Sequence, residues 1–244
     1  MSATPLLEAI SVTKQFGGFT ALNGVSLTVQ PGERVGLIGP NGSGKSTLVN
    51  CLSGVLHHES GTVRFEGRVI DGLPTHRRAR LGIARSFQIP KPFASMSVLE
   101  NLIVPLLFAA GDRHGKKVSD ATDEAIRILE EVGLADKTRT MSGGLTQVDM
   151  RKLELARAVA ARPKLLIADE AMAGLSASEV DEILALLLKL NQQGIGVIMI
   201  EHIMRAVMAF SQRMVVLVAG KKIADASPGE VIRNPEVEKA YLGQ

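Results

Sequence analysis

Three runs in this chain, RVGLIG (34–39), KLLIAD (164–169) and GVIMIE (196–201), are apolar at nearly every position and bounded by glycine, proline or charge. A strand with one wet face would alternate, so runs of this kind predict strands buried on both faces, as in a parallel sheet. Helical spacing follows each of them, which predicts a parallel α/β core. Ahead of the first, LLEAISVTKQF (6–16) and ALNGVSLTVQPG (21–32) alternate apolar and polar positions and predict half-exposed antiparallel strands, with Pro31 and Gly32 as the turn into the core. RMVVLVAGKKIADASPG (213–229) predicts a hairpin. From about 90 to 160 strand signals give way to helical ones. In SDATDEAIRILEEVGL (119–134), Ala125, Ile126, Leu129 and Val132 share one face and Gly133 stops the helix.

A further helix begins within TMSGGLTQVDMRKLELARA (140–158), where Met150, Leu153, Ala156 and Ala160 recur at helical spacing. Two residues can cap it. Thr146 stands three residues before Asp149, a [ST]-x-x-[DE] pattern, whereas three residues after Ser142 comes Leu145, which cannot reciprocate. Thr146 is the better cap. The registers differ by one helical turn, about 6 Å along the axis, so both cannot serve the same ligand. Ser176 and Glu179 form a second such pattern ahead of ASEVDEILALLLKL.

Length and composition narrow the class without naming the chemistry. The 244 residues are 45% hydrophobic, enough for one large domain or one domain with a sub-lobe. The longest apolar run, 102–110, contains Pro105 and falls far short of the roughly 20 residues needed to cross a bilayer. The start, MSATPLLEAI, lacks a basic region followed by a long apolar one, so the chain is expected in the cytosol. A single cysteine, Cys51, excludes an internal disulfide and predicts an inert, helix-packed thiol. The net charge of +3 does not point to nucleic acid, and THRRAR (75–80) reads as a solvated helix face.

The chemistry starts at GPNGSGKST (39–47), which matches G-x-x-x-x-G-K-[ST] and lies between a predicted buried strand and a helix. Gly39, Pro40, Asn41, Gly42, Ser43 and Gly44 form a loop whose main-chain amides can turn toward an anion. Lys45 brings a mobile positive charge to terminal phosphates, Ser46 offers a hydroxyl to Mg²⁺, and Thr47 completes the motif at the start of the helix. This is the signature of a nucleotide triphosphatase. Asp169 and Glu170 follow a buried strand and so lie on the sheet edge where ligands bind. Asp169 can hold Mg²⁺ through water and Glu170 can act as general base. His202, ending the third strand, lies on the same edge and can bond a γ-phosphate. Read alone, Gln88 is a polar surface residue and Phe16 a core aromatic.

In order, KQFGG, GPNGSGKST, SFQ, LELARA, LLIADE and VIMIEH resemble the ATP-binding subunit of ABC transporters over essentially the whole chain. FQIPKPFASMSVLENL, AGLSASEV, EHIMRAVMAFSQRMVVL and EKAYLG are most similar to the branched-chain amino acid uptake subunits. The resemblance implies an α/β P-loop NTPase of the ABC ATPase type, with a mixed, mainly parallel core sheet, an N-terminal antiparallel β subdomain and a helical subdomain. The chain would be one such domain, with residues 1–88 and 161–244 as the core and 89–160 as the helical part. It further implies that Phe16 stacks on adenine, that Gln88 touches Mg²⁺ and senses the membrane partner, and that His202 is the switch histidine. MgATP would then be hydrolysed between two such subunits, this chain with a copy or a relative. The pair would sit on the cytoplasmic face of the membrane against integral-membrane permeases that are fed by a substrate-binding protein, with no nucleic acid involved.

In the family the signature precedes Walker B at near-fixed spacing, and counting back from Asp169 puts the signature serine at Thr146. LTQVD is then the signature, with Gln147 and Val148 where glycines usually follow. Ser176 likewise replaces the usual asparagine or aspartate of the loop that crosses to the other subunit. Three rivals remain: a lipid or lipopolysaccharide exporter ATPase, a soluble ABC ATPase acting on a macromolecular complex, and a nucleotide-binding regulator without turnover.

Overall fold

The computed structural model describes residues 4–86, 92–109 and 117–242. The chain opens with β1 (Leu7–Phe16), β2 (Phe19–Val29) and β3 (Arg34–Ile38), then α1 (Lys45–Ser53), β4 (Ser60–Phe65), β5 (Arg68–Val69), α2 (Thr75–Leu81) and β6 (Ile83–Ser86). Three helices follow: α3 (Val98–Phe108), α4 (Val118–Glu131) and α5 (Gln147–Ala160). The last part contains β7 (Leu165–Asp169), α6 (Ala177–Gln192), β8 (Gly196–Ile200), α7 (Met204–Phe210), β9 (Arg213–Val218), β10 (Lys221–Ala226), α8 (Pro228–Val231) and α9 (Pro235–Leu242).

Two sheets result. An antiparallel sheet has the order β2-β1-β4-β5, and a larger one the order β10-β9-β3-β8-β7-β6. In the larger sheet only β10 runs antiparallel to its neighbour. The buried runs became its centre because both faces are covered and side chains alternate between them. Leu165, Ile167, Ile198, Ile200, Val215 and Leu217 pack with α1 and the small sheet. Their neighbours Leu166, Ala168, Val197, Met199, Met214 and Val216 pack in the cluster that contains residues of α3 to α7. Each leucine-sized side chain buried there is worth about 1.5–3 kcal/mol.

Sequence patterning missed β4, β5 and β6: β4 mixes Gly61 and Arg64 with its apolar positions, β5 spans two residues, and β6 carries Arg85 and Ser86 where an apolar run would be expected. Two expectations are corrected. On α4 the buried positions are Ala121, Ala125, Ile128 and Leu129, while Ile126 is turned outward; the apolar face is rotated because α4 packs on both α3 and α5. The THRRAR segment is not a solvated face throughout. Arg78 is 1% exposed and donates to the carbonyls of Cys51, Leu52, Asp71 and Leu73 at 2.8–3.0 Å. It thereby adds a charged donor to carbonyls at the end of α1, of which that of Cys51 also accepts from the N–H of the capping Gly54 at 3.4 Å. Cys51 is buried as expected, and burial pushes its thiol up to about 11. Among the described residues no helix is long and apolar enough to cross a membrane.

Candidate functional site

Register places the site. Leu37 and Asp169 both lie opposite Ile200, and Ser86 lies opposite Ala168, so β3, β8, β7 and β6 end along one edge of the sheet. In a parallel sheet that carboxyl edge is where loops can surround a ligand. Residues 39–47, 169–170 and 201–202 all leave strands there.

The loop after β3 is held open by glycine. At Gly39, with φ 151°, a Cβ would lie 2.1 Å from the Leu217 carbonyl oxygen; at Gly44, with φ 105°, it would lie 2.7 Å from that of Ala21. Gly44 caps α1 without a side chain, and the first turn holds no acidic residue. The amides there have no side-chain acceptor, so the helix start presents N–H groups and its partial positive charge to whatever anion enters. Lys45 Nζ now donates to the carbonyls of Gly39 (2.7 Å) and Pro40 (3.0 Å). Burial lowers the Lys45 pKa, opposed by the charges of Glu170 and Asp169. Both carboxylates therefore act on the lysine electrostatically.

A cavity of about 410 Å³ gathers Gly39, Asn41, Lys45, Glu170, His202 and Tyr241. Glu170 sits at φ 49°, uncommon for a residue with a Cβ, and its N–H extends the β7–β8 ladder to Ile200 at 2.8 Å. His202 presents a side chain that is 69% exposed. A loop amide cradle, a cation, a carboxylate and an imidazole around one space can bind a polyphosphate and orient a water beside it.

Other expected residues lie outside this cavity's lining. Asp169 is buried and its Oδ2 accepts from Arg85 Nη2 at 2.6 Å, while Arg85 Nη1 donates to Asn50 at 2.6 Å. Ser46 is exposed in the first turn of α1. Hydroxyl and carboxylate oxygens are the hard donors Mg²⁺ takes, usually with phosphate oxygens and water completing its shell. Among the described residues no group of three or more His, Cys, Asp or Glu could hold a metal. The fit is to an ion that arrives with its phosphates. Phe16 is not in the core: it lies opposite Phe19 at the β1–β2 turn, 46% exposed, with Lys14 Nζ 5.2 Å from the ring centre. Its ring is accessible for stacking. Gln88 lies outside the described residues.

The cap of α5 is Thr146. Its hydroxyl accepts from Asp149 N–H at 3.3 Å and donates to Asp149 Oδ2 at 2.6 Å. Asp149 also accepts from Lys137 at 2.6 Å, so its carboxylate does not return to the Thr146 amide as a full capping box would require. Thr146 is exposed. Ser142 is fully buried in a short 3-10 turn, and its hydroxyl donates to the Phe93 carbonyl at 2.9 Å. Ser176 and Glu179 form the expected capping box. Gln147 and Arg151 both donate to the Ala173 carbonyl, at 3.3 and 3.2 Å, tying the start of α5 to the loop that follows Glu170.

Sequence reasoning missed Arg85, Glu201 and Tyr241 as neighbours of the site. Their signals were present: Arg85 lies three residues before Gln88, Glu201 beside His202, and Tyr241 inside EKAYLG. Burial raises the Tyr241 pKa, while a hydrogen bond with the Gly39 backbone opposes the shift.

The model of the ABC transporter family matches residues 22–173. The high-affinity branched-chain amino acid transport ATP-binding protein BraF of Pseudomonas aeruginosa is 39% identical over 251 residues, covering 98% of each chain. Among solved structures, the ADP conformation of an ATP-binding cassette of an ABC transporter superposes with TM-score 0.88 at 32% identity, covering 98% of this chain and 99% of that one. A dimeric post-hydrolysis cassette bound to ADP and Pi gives TM-score 0.81 at 25% identity, covering 91% and 98%.

Proposed function

The chain belongs to the ABC transporter family, and on that premise we propose that it is the ATP-binding and ATP-hydrolysing subunit of an importer of branched-chain or related amino acids. The observation that carries the ATPase reading is the single cavity that faces Gly39, Lys45, Glu170 and His202 together. The cargo reading is supported by relatives such as BraF, a branched-chain amino acid transport ATP-binding protein. Two ATPase subunits, copies of this chain or this chain with a relative, would work on the cytoplasmic face against integral-membrane permeases.

In this reading the amides of residues 39–47 and Lys45 bind and neutralise the phosphates. Lys45 exchanges its present carbonyl partners, Gly39 and Pro40, for phosphate oxygens. Ser46, Asp169 and Gln88 would hold Mg²⁺, which would supply further neutralisation of the phosphate charge. Glu170 accepts the proton of the attacking water, and His202 donates to the γ-phosphate. Phe16 stacks on adenine. The exposed Thr146 at the start of α5 meets the nucleotide held by the other subunit. Such chemistry needs positioning and charge, with no covalent intermediate. Residues 89–160 act as the helical part that carries the signature, and residues 1–88 and 161–244 as the core.

The test is purification from native membranes in mild detergent, with ATP turnover measured against a Glu170→Gln blank. Co-purification of two multi-spanning proteins, a second ATPase and a substrate-binding protein, with turnover lost in the blank, is the expected result. Soluble partners alone, or nucleic acid, would overturn the transporter reading. Turnover equal to the blank would overturn the ATPase reading.

A further inference from the structure

Glu201 is a buried carboxylate for which neither the fold nor the reaction so far provides a use. Its side chain is 1% exposed. Oε1 accepts from the Met172 N–H at 2.8 Å, in the loop that follows Glu170. Oε2 accepts no hydrogen bond among the described residues and faces Nδ1 of His202 at 3.9 Å. A buried oxygen without a donor is costly, and an apolar side chain at this position would avoid the cost. The neighbouring His202 has little around it to fix its ring, being mostly exposed.

We propose that Glu201 is a positioning residue that fixes the tautomer of His202, so that Nε2 carries a hydrogen toward the phosphate site. The proposal rests on the reading of His202 as a donor to the terminal phosphate. The proton balance is simple. Once the exposed imidazole turns to shorten the present 3.9 Å separation to hydrogen-bond length, the pair can hold one shared proton in two forms: Glu201 neutral and donating to Nδ1, or Glu201 charged and accepting from Nδ1–H of an imidazolium. Both forms leave a hydrogen on Nε2. When the pair loses that proton, Nδ1–H turns to the carboxylate and Nε2 becomes an acceptor, which phosphate repels. Burial raises the Glu201 pKa and so favours retention of the proton; the backbone N–H groups of Met172 and His202 and the charge of an imidazolium at His202 oppose this, and the negative charge of Glu170 adds to it. The charged or titratable groups around the pair are Glu170 after β7, Lys45 of α1 and Tyr241 of α9; the Met172 segment contributes its amide. Because Oε1 is anchored to Met172, the same side chain links the imidazole to the loop carrying Glu170.

Glu201→Gln separates this role from packing. The amide oxygen can keep the Met172 contact while its NH₂ donates to Nδ1, holding the neutral ring in its Nε2–H tautomer up to alkaline pH. Nitrogen NMR of the full-length chain, with the His202 signal assigned by its loss in His202→Ala, reads the tautomer directly. The expected result is a wild-type ring that shifts to Nδ1–H at alkaline pH and a Glu201→Gln ring that stays on Nε2–H. Wild type is expected to lose kcat as the pH rises through this change, and in Glu201→Gln that fall is expected to be absent or moved by at least one pH unit, with KM for ATP within about twofold. Glu201→Leu is expected to lose kcat by about tenfold or more. Identical tautomers and identical pH profiles in wild type and Glu201→Gln would overturn the proposal while leaving His202 its role. A His202→Ala chain that hydrolyses ATP like wild type would overturn the reading of His202, and this proposal with it.

Discussion

Asp169 Oδ2 lies 2.6 Å from Arg85 Nη2, and the two side chains are only 9% and 12% exposed. The carboxylate expected to meet Mg²⁺ thus already has a cationic partner on the adjacent strand. That partner is also tied to α1 through Asn50, so β6, β7 and the helix behind the phosphate loop share one ion pair.

Removing the guanidinium would leave a mostly buried carboxylate without its donor, at a cost of about 1–3 kcal/mol. Arg85→Met is therefore expected to unfold at lower urea concentration than wild type. A magnesium ion held by nucleotide at Asp169 would replace much of the missing charge. The deficit should shrink with MgATP in a Glu170→Gln background, and an equal deficit with and without MgATP would show that Asp169 does not meet the metal.

Thr146 and Ser142 divide surface from support. Thr146→Ala should slow hydrolysis strongly, and loss of a helix cap should cost about 1 kcal/mol. Ser142→Ala removes a buried hydroxyl donating to Phe93, costing about 1 kcal/mol as well, with turnover nearly intact. Turnover and urea melts of both variants check this, and the reverse order in turnover would move the signature back to the SGG turn.

Much of this arrangement was legible before any coordinates, for reasons that particular residues show. Residues 39–47 combine glycines, a lysine and a hydroxyl in an order that few other demands on a chain would produce. The β3, β7 and β8 runs are apolar on both faces because both faces are buried. Thr146 was readable as a cap from Asp149 alone. What failed depended on distant neighbours. Arg78 looks like a surface residue within THRRAR, and only the approach of α1 makes it a buried cap for another helix. Ile126 lies on a plausible apolar face, but α3 and α5 together select a rotated one. Phe16 read locally as core, yet the turn at Gly17 carries it outward. Arg85 and Glu201 stand close to Gln88 and His202 in the sequence, but their partners are set by strand order and could not be read locally.

The buried Arg78 predicts a large stability effect without direct chemistry. Its guanidinium serves four carbonyls, two of them at the end of α1. Arg78→Met preserves the stem but removes a donor from all four acceptors, of which that of Cys51 keeps the Gly54 N–H, and about 2–4 kcal/mol of stability should be lost. Urea denaturation followed by circular dichroism is the measurement. A loss under 1 kcal/mol would mean that water replaces the guanidinium at little cost.

Asp149 gives a pH-dependent test of the α5 cap. Burial alone would push its carboxyl up, but hydrogen bonds from Lys137 and Thr146 outweigh that and leave it below the usual carboxylate range. A depressed folded pKa means that the native state binds this proton less readily than the unfolded chain does. Its stabilisation is therefore complete above the unfolded value near ~3.9 and disappears as pH falls through the lower folded value. Asp149→Asn keeps the shape but removes the charge, so it should be less stable than wild type at pH 7. The gap should narrow progressively below about pH 4. Urea melts of the two chains across that range decide the point: a gap that stays constant would assign the effect to hydrogen-bond geometry instead of charge.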